Sequence, residues 1–226
     1  ENRIKTEKNV EVNTSPPIVV YREAIVKQSP EAEGKTPNKH NKFYFKVEPL
    51  SDEIYNAMKK GDLPENSRIK KKDNAIREVL VNCGMDSKTA VKVKDFFNGN
   101  IFLDETRGQV HVGEVIEMIL DMFEDVMMKG PLAREPSIKV KVSMTDMKLH
   151  EDAIHRGPAQ VYPAVREGIR GALMQASPSL YEPLQTLHIE GPVDNMGEIS
   201  KLIANKRGQL LEMNQEGELV IAKAKM

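Results

Sequence analysis

The stretch GEVIEMILDMFEDVMMKG places Val115, Met118, Ile119, Met122, Phe123 and Val126 at i, i+3, i+4 and i+7 spacing. One face of a helix is therefore apolar along its length and has to be buried against another apolar surface. SIKVKVSM follows and alternates, with Ile138, Val140 and Val142 on one side of an extended chain and Lys139, Lys141 and Ser143 on the other. KFYFKVEPL repeats the pattern, setting Phe43, Phe45 and Val47 against Tyr44 and Lys46. One-sided strands and a one-sided helix bury one another as layers, which predicts an α+β architecture.

The remaining segments fill in this frame. ENRIKTEKN reads as a charged helical remnant and VEVNTSPPIVVYREAIV as a strand. QSPEAEGKTPNKHNK (28–42) is rich in Pro, Gly and Asn and reads as a loop. The strands on either side predict a long hairpin with its tip at residues 30–41. DEIYNAMKKG carries Ile54, Ala57 and Met58 at helical spacing, with Gly61 as a stop. NAIREVLVNCG and DSKTAVKVKDFF are expected as two shorter helices divided by Gly84, and NIFLDETRGQVHV as a hairpin turning at Thr106–Gly108. HEDAIHRGPAQVY reads as a strand-to-helix loop, the helix starting at Pro163 with Val165, Ile169 and Leu173 on one face.

A second unit is expected from a boundary near Tyr181–Pro183. LQTLHIEGP reads as a strand, and VDNMGEISKLIANKRG as a helix capped by Asp194 and stopped by Gly208. QLLEM and ELVIAKA are strands about a Gln215–Gly217 turn. That β-α-β-β order is the first part of a ferredoxin-like split βαβ, without its last helix and strand. Its sheet is therefore expected to leave a strand edge open.

Charge and motifs narrow the function. With 33 basic against 34 acidic residues the net charge is −1, so any RNA contact rests on local patches. The single Cys83 excludes an internal disulfide and a cysteine zinc cluster, and reads as a small apolar residue in a chain suited to a reducing compartment. No apolar run reaches the ~18 residues of a membrane span and no signal peptide is legible. GMDSKT lacks the glycines of a phosphate loop, and neither GxSxG nor GxGxxG occurs in a fitting context. No catalytic, cofactor-binding or metal-binding residue is assigned.

Two loops hold the polar chemistry. In KTPNKHNKFYF, Lys35, Lys39, His40 and Lys42 beside aromatics form a basic tip suited to an RNA backbone, or simply a solvated face. In HEDAIHRGP, His150 and His155 with Glu151 or Asp152 could be ordinary surface groups, metal ligands at an unfavourable i, i+5 spacing, or recognition groups for phosphate, ribose or base edges. Gly157 and Pro158 interrupt regular structure there and deep burial of polar groups is costly. His155 is therefore expected to be largely exposed.

SPPIVVYREAI, SPEAEGKTPNKHNKFYFKVEPL, LHEDAIHRGPAQVYPAVREGIRGAL and EPLQTLHIEGPVDNMGEISKLIANKRGQLLEM resemble the translation elongation factor 2 family in its archaeal form, over essentially the whole chain. Pro158-Ala159 stands where eukaryotic members carry glycines, which favours the archaeal branch. The resemblance implies that residues 1–22 end domain III. It implies that 23–182 form domain IV, a ribosomal-protein-S5-like arm toward the decoding site, and that 183–226 begin a ferredoxin-like domain V, truncated. It implies a cytoplasmic translocation factor. His155 would be the histidine converted to diphthamide and ADP-ribosylated by diphtheria-type toxins. Asn38, Lys39, His40 and Asn41 on one tip loop and His150, Asp152 and Arg156 on the other would contact the ribosome and tRNA, the two loops lying side by side. Implied partners are small-subunit rRNA, tRNA and mRNA, with diphthamide-synthesis enzymes and toxins acting on His155. GTP and Mg²⁺ would belong to a nucleotide-binding domain absent here, so this chain alone would not be an enzyme. The rival readings are a free-standing RNA-binding protein of S5-like fold and a small-molecule kinase of the same superfamily.

Overall fold

A computed structural model describes residues 19–69, 73–106 and 112–226. The expected helix at 1–9, most of the strand after it, and most of the Thr106–Gly108 turn lie outside the described residues. So does nearly all of the segment assigned to the end of domain III. The chain divides into two compact units, one running from Tyr21 to Tyr181 and the other including Glu182–Met226.

In the larger unit a six-stranded sheet is ordered β2-β3-β7-β6-β5-β4. Its strands are β2 (Ala32–Lys35), β3 (Lys42–Pro49), β4 (Asn66–Arg68), β5 (Val93–Phe97), β6 (Asn100–Asp104) and β7 (Val140–Lys148). Only β6 and β7 run parallel, and the required crossover contains α4 (Val112–Met128). The apolar stripe of α4 enters the core as its spacing predicts: Val115, Ile119, Phe123 and Val126 are buried beside Phe43, Phe45 and Val47, with Met118 packed at the margin. Helix α5 (Pro158–Gln175) buries Val165, Ile169 and Leu173 in the same cluster. A second cluster joins α1 (Asp52–Lys60), α2 (Asn74–Asn82) and the short α3 (Ser87–Ala90) to β5 and β6 through Ile54, Met58, Leu80, Phe96 and Ile101. Cys83 packs, half-buried, against it.

Several expectations are corrected. The strand ahead of the 28–42 segment, β1 (Arg22–Ile25), pairs with β8 (Pro178–Tyr181) and not with β3. The hairpin partner of β3 is β2, formed by AEGK from within the expected loop, so the tip is only residues 36–41. Packing overrides local propensity here. A Cβ on Gly34 would lie 1.9 Å from the Ala164 carbonyl oxygen, and one on Gly168 2.7 Å from the Phe45 ring, so α5 rests directly on the hairpin backbone. DSKTAVKVKDFF yields one helical turn and then β5, because Val93 and Phe96 pair and pack within the sheet. Strand β6 turns back on β5 through Asn98 and Gly99, both at positive φ, the Asn-Gly hairpin signal. Helix α5 starts at Pro158, not Pro163, which lies inside it.

In the second unit β9 (Thr186–Pro192), α6 (Met196–Asn205), β10 (Gln209–Glu216) and β11 (Leu219–Lys225) form a three-stranded antiparallel sheet ordered β10-β11-β9. Among the described residues the outer edges of β9 and β10 have no strand partner. Ile203 of α6 is buried, as are Val220, Ala222 and Ala224 of β11. Asp194 is not the cap: it sits in a 3₁₀ turn, Val193–Asn195, that leads into α6. Arg207 (φ 61°), not Gly208, takes the left-handed position after the helix. Among the described residues no helix is long and apolar enough to cross a membrane.

Candidate nucleic-acid interface

The β2–β3 turn and the β7–α5 connection meet. The turn is tight: Thr36 N–H donates to the Asn41 carbonyl at 3.0 Å, Lys39 N–H to the Thr36 carbonyl at 2.7 Å, and Lys39 takes φ 65°. Asn38 Oδ1 accepts from the Thr36 hydroxyl at 2.6 Å and from His40 N–H at 3.1 Å. On the other side Asp152 caps a 3₁₀ turn, Ala153–Arg156, its Oδ1 accepting from Ile154 N–H at 3.0 Å.

Asn41 holds the two together. Its Oδ1 accepts from His150 N–H at 2.8 Å and its Nδ2 donates to the His155 carbonyl at 2.7 Å. Asn38 N–H donates to Gln160 Oε1 at 2.9 Å and Asn38 Nδ2 reaches the His155 carbonyl at 3.4 Å. The bridge brings three imidazoles together: ring centroids of His40 and His155 lie 4.4 Å apart, of His150 and His155 4.6 Å, and of His40 and His150 4.8 Å. His150 Nδ1 accepts from Asp152 N–H at 3.1 Å, so in the neutral ring the proton is on Nε2. The rings pack face and edge, and among the described residues no group of three or more His, Cys, Asp or Glu is placed to hold a metal ion.

The expected site residues separate into two kinds. Lys39, His40 and Asp152 are exposed, and Asn38, His150 and His155 are half-buried. His155 is thus less open than expected, because its ring packs on the other two. Asn41 is 0% and Arg156 6% exposed, which corrects their expected role as contact residues. The amide of Asn41 is spent internally, whereas of the Arg156 guanidinium only Nη2 has a hydrogen-bond partner. Arg156 Nη2 donates to the Glu151 carbonyl at 3.1 Å, and its Nη1 lies 3.1 Å from Glu114 Oε2 without hydrogen-bond alignment.

Strand register adds a feature that spacing could not reveal. Lys35 of β2 lies opposite Lys42 of β3, and Lys42 opposite Lys148 of β7. Directly opposite residues share a face, so a row of three ammonium groups crosses the tip end of the sheet. Like charges so placed destabilise a sheet. Glu33 offsets part of this: its carboxylate meets Lys42 Nζ at 2.8 Å, and the bond holds Glu33 below and Lys42 above their ordinary pKa values. Lys148 lies beyond the alternation of SIKVKVSM, and neither it nor Gln160 carried a signal in the sequence.

An α+β domain whose loops gather lysines and stacked histidines at one end defines a class: residues 61–177 match the family of elongation factor G, domain IV, and the chain belongs to it. Residues 179–226 match the elongation factor G C-terminus. The particular relatives are archaeal elongation factor 2. That of Thermococcus kodakarensis is 50% identical over 220 residues, covering 97% of this chain and 30% of its own length. That of Pyrococcus furiosus is 49% identical over 224 residues, covering 98% of this chain and again 30% of its own length. The chain thus spans about 30% of the curated relatives it matches, in keeping with a C-terminal fragment of such a factor.

Proposed function

We propose that this chain is the ribosome-engaging part of a translocation factor, and that the joined 36–41 and 149–157 loops are the end that enters the small-subunit decoding site. The larger unit is then an S5-like domain IV and the smaller one the ferredoxin-like start of domain V. In the whole factor, GTP hydrolysis with Mg²⁺ in a separate domain would drive the movement of tRNA and mRNA, and no catalysis is assigned to this chain. The observation carrying the proposal is the convergence of His40, His150 and His155, with Lys35, Lys39, Lys42 and Lys148 on the flanking turn and strands. A tip built this way offers cations for phosphate and rings for stacking. Family membership favours this reading over a free-standing RNA-binding protein.

Within the same reading His155 is the substrate of diphthamide-synthesis enzymes and, once modified, of ADP-ribosylating toxins. The extension would supply a fixed cation beside the lysines of the tip. Both Asn41 and Asn38 hold the His155 backbone carbonyl, so neither bond occupies the ring.

The test is RNA binding against salt. The chain should bind a fluorescein-labelled RNA hairpin with micromolar or weaker affinity at physiological salt, falling linearly in log–log form. Replacing Lys148 or Lys35 with Ala should each flatten that slope by about 0.9. A salt-independent affinity would refute a phosphate-binding tip. For His155, intact mass of the factor isolated from its host should show an added mass that His155→Ala abolishes; an unmodified native protein would refute the assignment.

A further inference from the structure

The backbone of His155 is fastened and its ring is not. Asn41 and Asn38 hold the carbonyl at 2.7 and 3.4 Å, and His155 N–H bonds the Asp152 carbonyl at 3.2 Å. No hydrogen bond among the described residues reaches the imidazole, and a side chain left to itself divides among staggered wells. Ring contact is what orients it. The His40 ring lies 4.4 Å away, centroid to centroid, and 32° from parallel, so it covers one face of His155. His150 meets His155 at 4.6 Å and 85°, as an edge.

The two neighbours differ in what holds them. The His150 ring is fixed within its own loop, Nδ1 accepting from Asp152 N–H at 3.1 Å. His40 arrives from the other loop, on a backbone set by its N–H bond to Asn38 Oδ1 at 3.1 Å and by the Thr36–Asn41 bond at 3.0 Å across the turn. Its side chain is exposed, so burial does not account for where it sits. Among the described residues its ring makes no hydrogen bond, and its contacts are the two other imidazoles. Offset face contact between rings is a favourable geometry in its own right.

We propose that His40 is a positioning residue for the modification of His155: its ring covers one face of the His155 imidazole and holds it in the orientation that a modifying enzyme meets from the open side. This rests on the reading of His155 as the modified histidine. His40 makes and breaks no bond, and no proton or electron pair passes through it. Its contribution is the fraction of time that the His155 ring spends correctly turned. The substrate of the modifying enzyme is then the assembled pair of loops, with the β2–β3 turn as much a part of it as the 150–158 segment.

The test is a rate of modification. Full-length factor made in a host without the modifying enzymes is incubated with an archaeal cell extract, and mass gain on the His155 peptide is followed in time. His40→Ala frees the ring to divide among staggered wells and should slow the gain by about threefold to tenfold, with the melting temperature unchanged as for other exposed positions. His40→Phe keeps a face that stacks and should restore the parent rate, a rescue that a general loss of fold would not show. A parent that gains no mass at His155, in the extract or as native factor, overturns the reading of His155 and this role with it. A parent that is modified no faster than His40→Ala leaves His155 as the modified residue and overturns the role of His40 alone. A His40→Phe factor as slow as His40→Ala overturns orientation by stacking.

Discussion

Asn41 makes the sharpest prediction, because one buried side chain joins two loops far apart in sequence. At 0% exposure it accepts from His150 N–H at 2.8 Å and donates to the His155 carbonyl at 2.7 Å. Asn41→Ala strands the His150 N–H and leaves the His155 carbonyl only the longer bond from Asn38 Nδ2 at 3.4 Å. At ~1–3 kcal/mol for a buried group left unpaired and ~1 kcal/mol for the lost shorter bond, the cost is about 2–4 kcal/mol. Asn41→Asp keeps the acceptor for His150 N–H but turns a second oxygen toward the His155 carbonyl and buries a charge, so it should cost more than alanine. For a domain of this size each kcal/mol lowers the melting temperature by roughly 2–4 °C. The assay is a thermal melt of the three proteins, with NOEs between the His40, His150 and His155 rings read at 25 °C. Both substitutions should lower the melt, aspartate further, and abolish the ring contacts. A melt within 1 °C of the parent with ring NOEs intact would refute the idea that Asn41 sets the site.

Three further outcomes follow from the same coordinates. Gly34→Ala puts a Cβ 1.9 Å from the Ala164 carbonyl oxygen, a backbone clash that no rotamer relieves, and should cost at least about 3 kcal/mol in a denaturant titration; a near-neutral value would mean that α5 does not rest on β2. Glu23, 1% exposed, accepts from the backbone N–H groups of Leu132, Ala133 and Glu135 at 2.7, 2.9 and 3.0 Å, so Glu23→Ala should destabilise by roughly 3–5 kcal/mol, and chemical denaturation that finds less than ~1 kcal/mol would show the loop held by other means. Burial, and then the charge of Glu124, push Asp95 up to about 8 despite Arg68. Its folded pKa being raised, this group's stabilisation is complete below about pH 4 and is lost toward pH 8, with a slope approaching ~1.4 kcal/mol per pH unit. Asp95→Asn should flatten that part of the stability–pH curve, and an unchanged curve would sink the assignment.

Local pattern determined much of this protein. The stripe Val115–Val126 and the alternations of Phe43–Val47 and Val140–Val142 had to face one core, because a period of 3.6 or 2 leaves only one way to hide them from water. Ser51 and Gly61 bounded α1 through side-chain and left-handed caps that act within a turn or two. The histidine loop was legible as polar chemistry at a helix start. What pattern could not settle was everything set by contacts far apart in sequence. AEGK reads as loop and becomes β2, because Gly34 alone admits the α5 backbone. VKVKDFF reads as part of a helix and becomes β5, because its pairing with Asn100–Asp104 decides. Asn41 and Arg156 read as contact groups, yet burial makes them fasteners. Lys148 acquires meaning only from its register against Lys42. The sequence thus determined which faces are apolar and which loops carry charge, since those follow from neighbours a few residues away. Only tertiary structure decided which polar groups are consumed inside the tip and which are left facing outward.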